Sequence, residues 1–178
     1  MRKGGKLVQA KKYRIFFACV TMLIPLLFTG CASVISQGVL KEVDQTLSFE
    51  QLLKSPEAHK GKTVLLGGNI IETENFSDKT VIIVLQRSLG YGKKPTSKDV
   101  SKGRFIISIP GFLDPAIYRQ GRKITVVGAV AGKETRLLGE REYTYPIVAK
   151  RELHIWPQET PYDTKPRVRF GVGVGMHF

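Results

Sequence analysis

Thr63-Val64-Leu65-Leu66-Gly67-Gly68-Asn69-Ile70-Ile71-Glu72-Thr73-Glu74 reads as one β-rich segment with paired glycines at its centre. Paired glycines inside a strand mark a bulge or sharp bend, and a bent strand can serve two sheets. Downstream, Asn75 to Asp78 is a reversal. Thr80 to Gln86 then carries the unbroken apolar run Val81 to Leu85, the length of a central strand. Arg104 to Ile109 alternates with Phe105, Ile107 and Ile109 on one face and stops at Pro110-Gly111. Asp114-Pro115 predicts an N-cap and first helical position, opening a short helix through Tyr118 that Gly121 ends. Lys123 to Val130 is a fourth strand with Gly128 as a second bend, followed by a polar stretch around Gly132 and Gly139. Tyr143 to Ile155 is the fifth, with apolar residues at odd positions and Arg151 as the one exception. The pattern predicts a mainly β fold, a small five-stranded Greek-key barrel of OB type, with an open β-sandwich as the alternative.

Upstream, Ser48 heads Ser-Phe-Glu-Gln, a capping box with Gln51, and Phe49, Leu52 and Leu53 form one apolar helix face that Pro56 terminates. The barrel domain is therefore expected over 48–156. The first fourteen residues hold Arg2, Lys3, Lys6, Lys11, Lys12 and Arg14 and no acid. Fourteen largely apolar residues, Ile15 to Phe28, follow. This is shorter than the roughly 20 needed to cross a bilayer, and matches a signal-peptide hydrophobic region. It closes on Leu27-Phe28-Thr29-Gly30-Cys31, which resembles a bacterial lipobox, with Phe28 departing from the usual Leu. Cleavage is expected between Gly30 and Cys31, with lipid on Cys31. The competing reading is an ordinary secretory signal with an incidental cysteine. Cys19 has only four apolar residues before it and reads as a hydrophobe.

A chain cleaved there keeps 148 of 178 residues, one ordinary domain, with residues 31–47 as lipidated terminus and tether. Six of the 28 basic residues leave with the signal, so 22 remain against 15 acidic ones, a net charge of +7. Moderate positive charge suits anionic headgroups, lipopolysaccharide phosphates or peptidoglycan carboxylates, and equally a solvated lysine-rich surface. No nucleic-acid partner is expected in the envelope. Acyl chains at about 0.8 kcal/mol per buried methylene make the anchor effectively permanent. Ala32 follows the cysteine where inner-membrane lipoproteins often carry Asp, so the outer membrane is the expected address, with the domain facing the periplasm.

Several segments resemble the Slp family of outer-membrane lipoproteins, named for a starvation-induced member. They are Gly61-Lys62-Thr63-Val64-Leu65-Leu66-Gly67-Gly68, Val84-Leu85-Gln86-Arg87-Ser88-Leu89, Ser101-Lys102-Gly103-Arg104-Phe105, Pro110-Gly111-Phe112-Leu113-Asp114-Pro115, Gly121-Arg122-Lys123-Ile124-Thr125-Val126-Val127-Gly128 and Tyr143-Thr144-Tyr145-Pro146. The resemblance implies a role in starvation or envelope stress. It supplies no catalytic residues to carry over.

The segment between the second and third strands is far longer than a hairpin loop and strongly basic. Arg87, Tyr91, Lys93, Lys94, Lys98, Lys102 and Arg104 are its candidate contacts for an anionic ligand. OB barrels often bind oligosaccharides or oligonucleotides on one face. Enzyme signatures are scarce. His59, His154 and His177 stand apart in sequence, without metal-ligand spacing. The Glu72/Glu74 and Glu140/Glu142 pairs read as solubilising edges, and no Gly-x-Ser-x-Gly elbow or phosphate loop occurs. A non-enzymatic protein without cofactor or metal is expected.

Beyond a proline-punctuated linker, Val168, Phe170, Val172, Val174, Met176 and Phe178 alternate with Arg, Gly and His up to the terminal phenylalanine. This resembles the last strand of an outer-membrane barrel, although one strand cannot span lipid alone. Three arrangements are open: strands pooled in a homo-oligomer, addition to a partner protein's edge, or return to the chain's own domain.

Overall fold

The computed structural model describes residues 34–158. Gly30, Cys31 and the strand expected from Val168 to Phe178 lie outside these residues. Five strands, β1 (Thr63–Asn75), β2 (Lys79–Gln86), β3 (Arg104–Pro110), β4 (Lys123–Leu138) and β5 (Arg141–Ile155), close into a barrel in the order β1-β2-β3-β5-β4. All neighbours are antiparallel except β3 and β5, which run parallel through Ile106–Ser108 and Ile147–Ala149. This is the Greek-key barrel of OB type expected from the glycine bends.

The first bend is where the sequence places it. The first half of β1 pairs with β4 and the second half with β2, and Gly68 belongs to both ladders, opposite Ile124 and Gln86. A Cβ on Gly68 would stand 2.0 Å from the Leu85 carbonyl oxygen, so only glycine lets the two strands approach at this corner. Gly128 marks the second bend, with its Cβ position 2.2 Å from the Ala149 carbonyl oxygen. There the register steps from Val127↔Glu152 to Gly128↔Lys150, leaving Arg151 unpaired. The residue that breaks the alternation in β5 is thus the extra residue of a bulge.

A bulge exchanges the faces of a strand. Leu153 and Ile155 pack on the barrel core, whereas upstream of Arg151 the core residue is Val148. Tyr143, Tyr145 and Ile147 instead join Val81, Ile83 and Ile106 in a second cluster on the opposite side of the sheet. Inside the barrel, Ile70, Ile82, Val84, Phe105, Ile107, Ile124 and Val126 are almost completely buried. Truncating any one to alanine would cost about 2 to 5 kcal/mol.

Three sequence expectations are corrected. The polar stretch around Gly132 and Gly139 is not a connecting loop. β4 runs through it to Leu138, with a register step at Ala131 and a tight turn at Gly139, φ +64°. Its charged residues reflect an arm extending beyond the barrel. The predicted helix after Asp114 is a single turn. The Ile117 and Tyr118 N–H groups both donate to the Asp114 carbonyl, and the Asp114 side chain accepts from Ala116 N–H, but no second turn follows. Too few residues separate Pro115 from Gly121, φ +85°, to repay helix nucleation.

The capping box on Ser48 opens α2 (Phe49–Lys54), with reciprocal bonds of 3.2 and 2.9 Å between Ser48 and Gln51. Phe49 and Leu52 are buried and close the barrel end at the start of β3, where Phe49 meets Phe105 edge-on at 6.0 Å. The segment read as a tether is a packed strap from Ile35 onward. Ile35 is fully buried, and α1 (Gln37–Lys41) precedes Asp44, whose N–H donates to the Thr63 carbonyl. Ser36 N–H and hydroxyl donate to Glu152, at 2.9 and 2.7 Å to its two carboxylate oxygens, and Glu42 pairs with Arg151.

Candidate functional site

In OB barrels the outer face of strands 2 and 3 commonly carries the ligand. Here that surface is already filled. Val81 and Ile83 of β2 and Ile106 of β3 lie under Tyr145, Tyr143 and Ile147 of the β4–β5 arm. The arm is fixed from two directions. The Arg104 N–H donates to the Tyr143 hydroxyl at 2.8 Å, and Arg136 makes a two-oxygen contact with Glu74 at 2.8 and 2.9 Å. Arg136 also reaches Glu134 at 2.6 Å. Partial burial pulls its pKa down, but the bonds to Glu134 and Glu74 outweigh it and hold the guanidinium pKa above its usual value. Glu74 is therefore engaged in the arm's attachment, while Glu72 sits exposed on the same strand.

The basic segment joins β2 to β3. It is an ordered flap. Arg87, largely buried, spans its base by donating to the Lys98 carbonyl at 3.0 Å and to Asp99 at 3.1 Å. A bridge between Leu89 and Pro95 and a bond from Thr96 N–H to Ser88 O close the flap on itself. Its tip, Tyr91–Lys93, is a short 3-10 turn in which Gly92 and Lys93 both take positive φ, 64° and 66°. A positive φ at lysine is uncommon and costs local strain.

The flap lies over the outer face of β1 and β4. Leu89 and Pro95 flank Gly67, the Thr125 hydroxyl donates to the Lys93 carbonyl at 2.9 Å, and Lys123 Nζ donates to Ser97 Oγ at 2.8 Å. Thr125 also accepts from the Trp156 indole N–H at 2.9 Å, and Lys94 stands 5.6 Å from the centre of the Trp156 ring. Such a cation over an indole face contributes about 0.5 to 1 kcal/mol when exposed. His154 meets Trp156 edge-on at 4.6 Å.

The seven candidate contacts are thus divided. Arg87 and Lys94 hold the flap in place, Lys102 pairs with Glu50 on α2, and Arg104 begins β3 beside the arm. Tyr91, Lys93 and Lys98 are exposed to solvent, Tyr91 91% so at the tip. Reasoning from sequence missed Thr125, Lys123 and Trp156 as the flap's floor. Nothing in the spacing of 123, 125 and 156 announces that β4 and the end of β5 lie beneath residues 89–97.

Among the described residues no group of three or more His, Cys, Asp or Glu stands together as a metal site. His59 and His154 each leave one buried ring nitrogen without a hydrogen-bond partner, and they occupy separate parts of the fold. No described helix is long and apolar enough to cross a membrane.

The outer membrane lipoprotein Slp family matches residues 28–173. An uncharacterized protein of Haemophilus influenzae is 35% identical over 136 residues, covering 76% of this chain and 73% of the relative. Two proteins of Escherichia coli K12 are more distant. The uncharacterized lipoprotein YeaY is 26% identical, covering 74% of this chain and 67% of its own. The outer membrane protein Slp is 24% identical, covering 73% and 69%. No solved structure matches the chain. A match that begins at the end of the apolar leader, crosses the whole barrel and includes both glycine bends leads to one conclusion: the chain belongs to the outer membrane lipoprotein Slp family.

Proposed function

We propose that this protein is a non-enzymatic lipoprotein, anchored through Cys31 in the outer membrane and facing the periplasm. There it supports envelope integrity under starvation or stress by holding an envelope component or partner protein at its β2–β3 flap. The carrying observation is the division of labour in that flap. Arg87 ties the flap's base together and Lys94 holds it over Trp156, while the tip turn presents Tyr91 and Lys93 to solvent, with Lys98 exposed nearer the base. The usual OB ligand face is meanwhile filled by the arm. An aromatic side chain beside lysines suits the phosphates of lipopolysaccharide or an acidic protein segment. Peptidoglycan carboxylates offer the same charge.

The test is a photo-crosslinking residue in place of Tyr91 in intact envelopes. A defined adduct that disappears when Lys93 and Lys98 are both changed to Glu supports the reading. A clean absence of adducts contradicts it.

A second reading draws on the arm. Among the described residues, β4 beyond Val130 pairs with β5 alone, so residues 132–138 have no second strand partner there. An open edge accepts an added strand, and Val168 to Phe178 has the right alternation to supply one to a neighbouring copy or to a partner. Native size that falls when residues 168–178 are deleted supports a homo-oligomer. A monomer before and after deletion removes it.

A further inference from the structure

Two turns at one end of the barrel expose large apolar side chains. Phe76, in the β1–β2 turn, is 50% exposed, and Phe112 and Ile117, between β3 and β4, are 72% and 49% exposed. The turns form one stiff platform. Gly111 N–H donates to the Asp78 carbonyl at 2.9 Å, Asn75 donates to the Leu113 carbonyl at 3.1 Å, and the Thr80 hydroxyl donates to the Gly111 carbonyl at 2.8 Å. Thr73 donates to the Tyr118 carbonyl at 2.7 Å. With the turns held this way, the phenylalanines are kept in water rather than folded inward. Lys79 stands 5.9 Å from the centre of the Phe76 ring, the pairing of apolar ring and cation met at a lipid headgroup boundary.

The position of the strap limits how far the anchor can lie from this platform. Arg122 donates to the Ile117 carbonyl at 3.0 Å and to the Trp156 carbonyl at 2.8 Å, so the platform sits at the Trp156 end of β5. Ser36 is pinned to Glu152, four residues back along β5, about 13 Å at roughly 3.3 Å per residue. From there the strap runs away from the platform toward Thr63. Cys31 is only five residues upstream of Ser36, and five residues span at most about 18 Å. A lipid on Cys31 therefore keeps the bilayer within reach of the platform end, at a high effective concentration.

We propose that the platform carrying Phe76, Phe112 and Ile117 docks on the lipid surface that the anchor enters, which fixes the barrel's orientation and leaves the opposite, α2 end facing away. This rests on the anchor placed at Cys31 in the proposed function. The two turns set Asp78 and Asp114 against Lys79, Arg119 and Arg122, a net charge of only +1, so the contact is apolar rather than a charge patch.

Once the signal segment with Cys19 is gone and Cys31 is acylated, the mature chain has no free thiol, and an introduced cysteine is a unique labelling site. The lipidated protein with Phe112→Cys, carrying an environment-sensitive fluorophore, would be reconstituted in phosphatidylethanolamine/phosphatidylglycerol vesicles with and without brominated acyl chains. Lys54→Cys, at the exposed end of α2, is the comparison. Blue-shifted emission quenched by bromolipid at 112, with aqueous emission at 54, is the expected result. Aqueous emission at 112 on vesicles that carry the protein would overturn the docking and leave the anchor intact. Blue-shifted emission without quenching would overturn it in favour of a covering protein or second copy. Protein that does not float with the vesicles would refute the anchor, and the docking with it.

Discussion

The Tyr143 hydroxyl accepts a hydrogen bond from the Arg104 backbone N–H at 2.8 Å, which ties the β4–β5 arm to the first residue of β3. Gly103, just before it, has φ +140°, and a Cβ there would lie 2.5 Å from the same hydroxyl oxygen. Removing the hydroxyl in Tyr143→Phe should cost about 1 kcal/mol, the net worth of one such bond. Gly103→Ala should cost more, through both its φ and the clash. Urea denaturation of the two variants checks the order.

Gly68 is the corner of the barrel. Its Cβ position is 2.0 Å from a backbone oxygen and 2.8 Å from Val84 Cγ1, so Gly68→Ala must separate β1 from β2 and should cost about 3 kcal/mol or more. Gly38 is the control. It lies in α1 with nothing within 4 Å of its Cβ position, so Gly38→Ala should stabilise by about 0.5 to 1 kcal/mol. Thermal melts of the pair should move in opposite directions.

Arg87 should govern flap order rather than global stability. Its carboxylate partner Asp99 is fully exposed, which limits that ion pair to roughly 0 to 1 kcal/mol. Arg87→Ala should leave Tm nearly unchanged while amides of residues 88–99 exchange faster. Hydrogen exchange read by mass spectrometry distinguishes this from general loosening.

Asp44 gives the strap a pH dependence. The Thr46 hydroxyl, then Lys62 at 3.0 Å, then the Thr46 N–H hold its carboxyl far below the ordinary range. A depressed carboxylate pKa contributes stability that is complete above the unfolded value, about 3.9, and is lost as pH falls toward the folded value. The stability gap between wild type and Asp44→Asn should therefore stay constant from pH 7 to about 4 and close below that. A gap that closes near neutrality would point to another group.

The barrel was legible because its bends are written as glycines. Gly67-Gly68 and Gly128 mark the two places where strands approach too closely for a side chain, and the apolar run over 81–85 marks a strand buried on both faces. Arg151 carried the bulge signal, visible only as a break in alternation whose meaning depends on the partner strand. The arm was unreadable because Lys133 to Arg136 is polar, as loops are, while its strand character comes from cross-strand partners such as Thr144 and Tyr143. The flap's basic character was plain in the sequence. Its division into bracing and displayed residues was not, since Thr125 and Trp156 lie tens of residues away along the chain.

An OB-type barrel held at the outer membrane by lipid on Cys31 has a defined mature N-terminus. This is tested most directly by intact-mass and N-terminal peptide mass spectrometry of the protein recovered from separated inner and outer membranes. The expected result is a mature chain beginning at Cys31, bearing diacylglyceryl and an amide-linked acyl group, in the outer-membrane fraction. An unmodified chain, or one cleaved at another residue, would contradict it.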